Sequence, residues 1–162
     1  IAEVLAGGGH LLLIRHASTV PGVGDPPGFD IARCETQRNL SDAGRAEARR
    51  LGAAVRASAI QIAEVRSSAW CRCKDTADLA FGRHVVWAPI NSFFGAGDRR
   101  DRQSREVVRL GESVLETGRT IVLVTHQVNI TALTGVYPSQ GEIVVARRDD
   151  GRLVPRYRIR IA

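Results

Sequence analysis

The sequence of 162 residues contains no methionine, position 1 included, so an N-terminal segment is expected to have been removed or left out. A cleaved signal peptide is one explanation. Aromatic residues make up only 5%, and the arginines are spread along the chain rather than gathered in a tail. Both features weaken a nucleic-acid reading, which leans on stacking platforms and basic clusters. No apolar run approaches the roughly 18 residues that span a bilayer. The three cysteines are Cys34, Cys71 and Cys73, and no second Cys or His pair lies at zinc-binding spacing. In an oxidising compartment Cys34 can pair with Cys71 or Cys73, leaving one thiol free; otherwise all three are buried thiols.

What is present fits a globular protein, with 44% hydrophobic and 25% charged residues. The length suffices for one domain with a sizeable core, and no repeat, linker or low-complexity tract divides it. Residues 1–162 therefore read as a single domain, with 1–9, ending in Gly7-Gly8-Gly9, as a flexible lead-in. A net charge of +6 favours acidic partners through long-range attraction.

Two stretches stand out. Leu11-Leu12-Leu13-Ile14 runs into Arg15-His16, and Thr120-Ile121-Val122-Leu123-Val124-Thr125 runs into His126. Continuous apolar runs of this length read as strands buried on both faces, as in a parallel sheet. Ligands of such sheets gather at the carboxyl ends of the strands, where both histidines stand. Between them lie a Pro- and Gly-rich loop, about Val20 to Asp30, and a helix opened by Ser41 as N-cap, with Ala48, Leu51 and Val55 on one face. Further elements are expected as a strand near Ile62 to Arg66, a helix from about Ala69 to Ala80, a strand from His84 to Trp87 and a helix from about Asp101 to Glu116. A short helix, Asn129 to Thr134, closed by Gly135, precedes two closing strands joined at Asp149-Asp150-Gly151, and Pro155 marks the last as an edge strand. Phe93 and Phe94 read as core plugs under a loop. His10 and His84 each begin a strand and read as satisfied structural residues. The fold class is α/β: a three-layer sandwich with a largely parallel mixed sheet and helices on both faces.

The turn Ser67-Ser68-Ala69-Trp70 places Arg72 just inside a helix start, where backbone N–H groups favour anions. Two histidines, two arginines and a helix N-terminus at one sheet edge make a phosphate site. There a neutral imidazole can attack phosphorus while arginines hold the phosphoryl oxygens.

Four segments resemble the histidine phosphatase superfamily in the family's order. They are Arg15-His16-Ala17, Gln37-Arg38-Asn39-Leu40-Ser41-Asp42-Ala43-Gly44-Arg45, Ser68 through Ala77, and Val124-Thr125-His126-Gln127. In size the chain is nearest to the small bacterial phosphohistidine phosphatases. The resemblance implies a phosphatase for a phosphomonoester or phosphoramidate, with His16 as phosphoryl acceptor and Arg15, Arg72 and His126 completing the pocket. It implies substrate contacts from Ser18, Thr19 and Arg38. No cofactor or metal is expected, because the arginines already supply positive charge. The expected partner is a phosphorylated small molecule or a phosphoprotein, with no nucleic acid.

Departures from the family pattern concern Ala17, which stands where the family often has Gly, and the acid that protonates the leaving group. In one branch that acid is a Glu on the loop after the third strand, here Asn91 to Asp101; in the other it is an Asp directly after the second histidine, here Gln127. Asp98 is the first candidate by position, followed by Asp101 and Glu35. Without an acid, substrates with good leaving groups would be preferred. The competing reading is a catalytically weak or inert phosphate-binding module of the same fold. A disulfide from Cys34 to Cys71 or Cys73 would tie the long loop to the pocket helix. That points to a periplasmic or secreted protein, the alternative being cytoplasmic.

Overall fold

The structure, a computed structural model, describes residues 1–162. Six strands form one mixed sheet: β1 (His10–Arg15), β2 (Glu64–Ser67), β3 (Val85–Val86), β4 (Thr120–Thr125), β5 (Ile143–Asp149) and β6 (Arg152–Ile159). Their order is β3-β2-β4-β1-β5-β6. The first four run parallel to one another, β5 pairs antiparallel with β1, and β6 pairs antiparallel with β5. The helices are α1 (Ala2–Leu5), α2 (Asp42–Ala57), α3 (Cys71–Phe81), α4 (Arg100–Thr117) and α5 (Gln127–Thr134).

The continuous apolar strands are explained by burial on both faces. Leu12 and Ile14 of β1 and Val122 and Val124 of β4 pack under α2 and α3, against Leu51, Val55, Ala77 and Ala80. Leu11, Leu13, Ile121 and Leu123 point the other way, towards Val107 and Val114 of α4 and Ile130 of α5. Because side chains alternate along a strand, a two-faced core requires apolar residues at every position. At roughly 25 cal/mol per Å² of apolar surface, these two layers are the main drive for folding.

Helix ends follow local chemistry. The Ser41 hydroxyl accepts from the Gly44 N–H at 3.0 Å and caps α2. Gly135 closes α5 in the left-handed conformation. Pro155 lies in the edge strand β6, beside the register shift between Val145 and Ala146, where a missing N–H costs little.

Three expectations need correction. Residues 1–9 are not a flexible lead-in: Leu5 is 4% exposed and Ile1 and Val4 pack against the same core. Gly7, Gly8 and Gly9 all take positive φ, which lets the chain reverse into β1, and the Gly9 N–H donates to the Arg119 carbonyl. Phe93 is buried, but Phe94 is 85% exposed and plugs nothing. His10 is buried with Nδ1 unpartnered, so it is not satisfied; burial, aided by Arg147 and Arg156, holds its pKa down. His84, by contrast, pairs with Asp78.

Candidate active site

The β1–β4 pairing brings the two histidines together. Arg15 is in register with Thr125, so His16 and His126 leave neighbouring strands side by side. Their ring centroids are 5.8 Å apart. The chain leaving β1 enters the α2 face and the chain leaving β4 enters α5 on the opposite face, which opens a crevice between the two strand ends. A cleft of about 520 Å³ lies there, lined by Arg15, His16, Asp25, Arg38, Arg72 and His126. Phe29, Trp70, Ser92, Phe94 and Gln127 also contribute to its walls.

His16 is 2% exposed, and its Nδ1 lies 2.9 Å from the Ala17 carbonyl. A carbonyl only accepts, so Nδ1 carries the proton and Nε2 keeps its lone pair. Burial is the largest influence on this ring and, with Arg72, Arg15 and Arg38 nearby, holds its pKa to about 3 despite the opposing Ala17 hydrogen bond. The imidazole is neutral at any physiological pH. The loop beyond it is fixed to α3: the Ala17 N–H donates to Thr76 Oγ1, whose hydroxyl donates to the Arg72 carbonyl. Ala17 does not have positive φ, so alanine fits where the family often carries glycine.

His126 is buried, with Nε2 2.7 Å from Ser68 Oγ and the Trp70 ring edge-on at 5.2 Å. Desolvation, then the neighbouring His16 ring and the charges of the three arginines, holds it well below its ordinary pKa. Arg72, in the first turn of α3, is 5% exposed. Arg15 donates one terminal nitrogen to the Pro138 carbonyl. The Nε–H groups of Arg15, Arg38 and Arg72 are all buried without a partner. A buried charged donor left unpaired is costly, and three around one cleft mark a place for an anion.

A second cleft of about 470 Å³ beside β3 offers no comparable set. Its Glu64 is paired with Arg66 and Arg119, and the Arg66 guanidinium lies over the Trp87 ring.

The family model of the histidine phosphatase superfamily (branch 1) matches residues 11–92. The chain belongs to that superfamily. No curated protein sequence matches the chain. Among solved structures it resembles SixA, a protein histidine phosphatase complexed with tungstate, at 14% identity and TM-score 0.64, covering 93% of this chain and 96% of that one. It also resembles the alpha-ribazole phosphatase of Shigella flexneri, at 16% identity and TM-score 0.66, covering 94% and 96%. The phosphoglycerate mutase of Bacillus anthracis matches at 14% identity and TM-score 0.67, covering 95% and 94%. At these identities the likeness establishes a shared fold.

In this histidine phosphatase fold, the structure brings Arg15, His16, Arg38, Arg72 and His126 into one cleft. Ser18 and Thr19 are not among them. The Ser18 N–H and hydroxyl both donate to Glu47, and Thr19 Oγ1 accepts from Gln140. Asp98 also lies outside the cleft lining, exposed on a short 3-10 turn, Gly97–Arg99. The chain turns after Phe93, with the Ala96 N–H donating to the Phe93 carbonyl, and then feeds α4. Asp101 is exposed in the first turn of α4, and Glu35 is exposed and paired with Arg33. The one carboxylate on the cleft wall is Asp25, which sequence reasoning missed. Its only signal was a lone acid within Pro21-Gly22-Val23-Gly24-Asp25-Pro26-Pro27. The long loop carrying it is fastened by a Cys34–Cys71 disulfide, while Cys73 is a buried free thiol whose pKa burial pushes up to about 12. Gln37 adds to the fastening by accepting from the Cys71 N–H.

Proposed function

We propose that this protein is a phosphatase that hydrolyses a phosphomonoester or phosphoramidate through a covalent phosphohistidine on His16. The observation that carries the reading is the state of that ring: buried, neutral, its Nδ1–H spent on the Ala17 carbonyl and its Nε2 lone pair free among three arginines. Nε2 attacks phosphorus as the bond to the leaving atom breaks, and the electron pair departs with the leaving group. Arg15, Arg72 and Arg38 hold the phosphoryl oxygens as charge spreads over them, with His126 hydrogen-bonding the group in transit. Water then attacks the phosphohistidine, the N–P bond breaks, and its electron pair returns to Nε2 while water's proton is released. The arginines supply the positive charge, so the scheme uses no metal.

The cleft has no acid suited to protonate a leaving oxygen. Asp25 is held ionised, because hydrogen bonds from Arg38, Arg72 and Trp70 together outweigh the upward push of its burial. Substrates whose leaving group needs little help, such as phosphoramidates, acyl phosphates and aryl phosphates, are therefore favoured over alkyl phosphates. The same absence favours the second reading, an inert phosphate-binding module. No helix is long and apolar enough to cross a membrane. The Cys34–Cys71 disulfide supports action in the periplasm or outside the cell, on a phosphorylated small molecule or a phosphoprotein.

The test is to incubate the protein with p-nitrophenyl phosphate, quench in alkali, and map phosphate onto peptides beside a His16→Ala control. Turnover with a His16 adduct is expected. Tight phosphate binding with neither turnover nor adduct across pH 5 to 8 establishes the binding module instead.

A further inference from the structure

One group in the cleft is not called for by phosphoryl transfer. A carboxylate on the wall of an anion site repels the ligand, yet Asp25 is firmly held there. Its Oδ1 accepts from the Arg38 N–H at 2.9 Å and from Arg72 at 3.0 Å. Its Oδ2 accepts from Arg72 at 3.1 Å and from Trp70 Nε1 at 3.2 Å. Trp70 is in turn packed between Phe29 and His126, with centroids at 5.9 and 5.2 Å. A loop carboxylate anchored by a backbone amide, an indole and a guanidinium is a built contact.

The way Arg72 is gripped shows what the contact does. A guanidinium offers donors on two terminal nitrogens and on Nε. Both Asp25 contacts, and a third to the Arg38 carbonyl at 3.4 Å, fall on one terminal nitrogen, Nη1. The Nε–H is buried and has no protein partner, on a side chain that is only 5% exposed. One end of the fork is thus spent on Asp25 and the Nε edge is unspent. Planar guanidinium recognition of a phosphoryl group uses two parallel N–H bonds from one edge, so the angle of the plane decides whether both are made.

We propose that Asp25 is a positioning residue for Arg72, fixing Nη1 so that the Nε edge of the guanidinium is presented to the phosphoryl group. The inference rests on reading the cleft as a phosphoryl site. It also gives the long loop a purpose. The Cys34–Cys71 disulfide and the Gln37 bond to the Cys71 N–H join that loop to the start of α3, next to the arginine it orients.

Tungstate binding by calorimetry tests this without turnover, alongside kcat and KM for p-nitrophenyl phosphate. In Asp25→Ala, tungstate is expected to bind about tenfold or more weakly and kcat to fall by a similar factor with a smaller change in KM, because an orienting contact matters most where charge is spread. Asp25→Asn keeps an acceptor for Arg72 and is expected to recover most of the affinity. In an Arg72→Ala background the Asp25→Ala effect on tungstate binding is expected to vanish, since a residue acting through another loses its effect when that other is gone. Where Asp25→Ala does not fold, Trp70→Phe, which removes the indole N–H that anchors Asp25 and keeps an aromatic ring against His126, replaces it in the same cycle with a loss of roughly threefold.

Equal or tighter tungstate binding by Asp25→Ala overturns the proposal and makes Asp25 a bystander or a competing anion. An undiminished effect in the Arg72→Ala background overturns it too. A wild-type protein that binds tungstate but hydrolyses nothing removes the phosphatase reading, while the tungstate series still decides the role of Asp25. No tungstate binding by the wild type removes both.

Discussion

At His16, desolvation outweighs every other influence on the ring; the Ala17 hydrogen bond opposes it, and Arg72, Arg15 and Arg38 act with it. As the proposed nucleophile, a ring already neutral down to about pH 3 gives no acid limb of its own in the ordinary range. We therefore expect kcat/KM for an aryl phosphate to show no enzyme-derived loss between pH 8 and 5, once the substrate's second ionisation near ~6 is allowed for. An enzyme pKa between 6 and 7 in that profile would contradict the burial argument. In the proposed reaction the arginines act on the transferring group, and their planar form matters. Arg72→Lys keeps the charge but loses the fork and its Asp25 contact, so kcat/KM should fall by roughly a hundredfold in steady-state assays.

At the level of elements, the pocket depends on how closely α2 and α3 pack. Gly52 of α2 lies against the Ala80 carbonyl of α3, so an added Cβ would overlap backbone that cannot swing aside. Gly52→Ala should cost about 1–3 kcal/mol through overpacking, read from the urea midpoint. An unchanged midpoint would mean that the two helices can separate freely. The disulfide acts between elements as well: it closes a loop with a sequence separation of 37 residues, from the long loop to the first residue of α3. Cys34→Ser, which leaves Cys71 and Cys73 in place, should lower unfolding free energy by roughly 2–4 kcal/mol. The same variant should weaken tungstate binding, since Arg38 and Asp25 sit on the freed loop.

For the whole molecule, three buried histidines, His10, His16 and His126, are held below their ordinary pKa. In the unfolded chain each titrates near ~6.5. Between that value and the folded one, the unfolded state binds more protons, so stability rises with pH and falls on acidification. His16 alone, with a folded value of about 3, should remove about 2 kcal/mol between pH 7 and 5, and the other two act in the same direction. Asp25, Glu64 and Glu142 are held below their usual range and keep their stabilisation until the pH drops beneath ~4.3. Chemical denaturation across pH 4 to 8 measures this; a flat profile from 7 to 5 would show that the histidines are not buried as described.

The strands and helices were legible because their information is local. Apolar runs bounded by glycine gave β1 and β4, with β4 at its observed limits, and Ser41 and Gly135 marked real helix ends. His16, His126 and Arg72 followed, since a residue at the end of a buried strand or in the first turn of the next helix has one place to be. The loops carry no such period. Whether Ser18 and Thr19 meet the cleft or Glu47 and Gln140, whether Cys34 takes Cys71 or Cys73, and whether Asp98 or Asp25 stands on the wall were decided by contacts between residues far apart in sequence. Asp25 is held by Trp70 and Arg72, more than forty positions on. Local sequence thus determined which groups could do the chemistry; the packing of an aperiodic loop against α3 decided which of them are held in place for it.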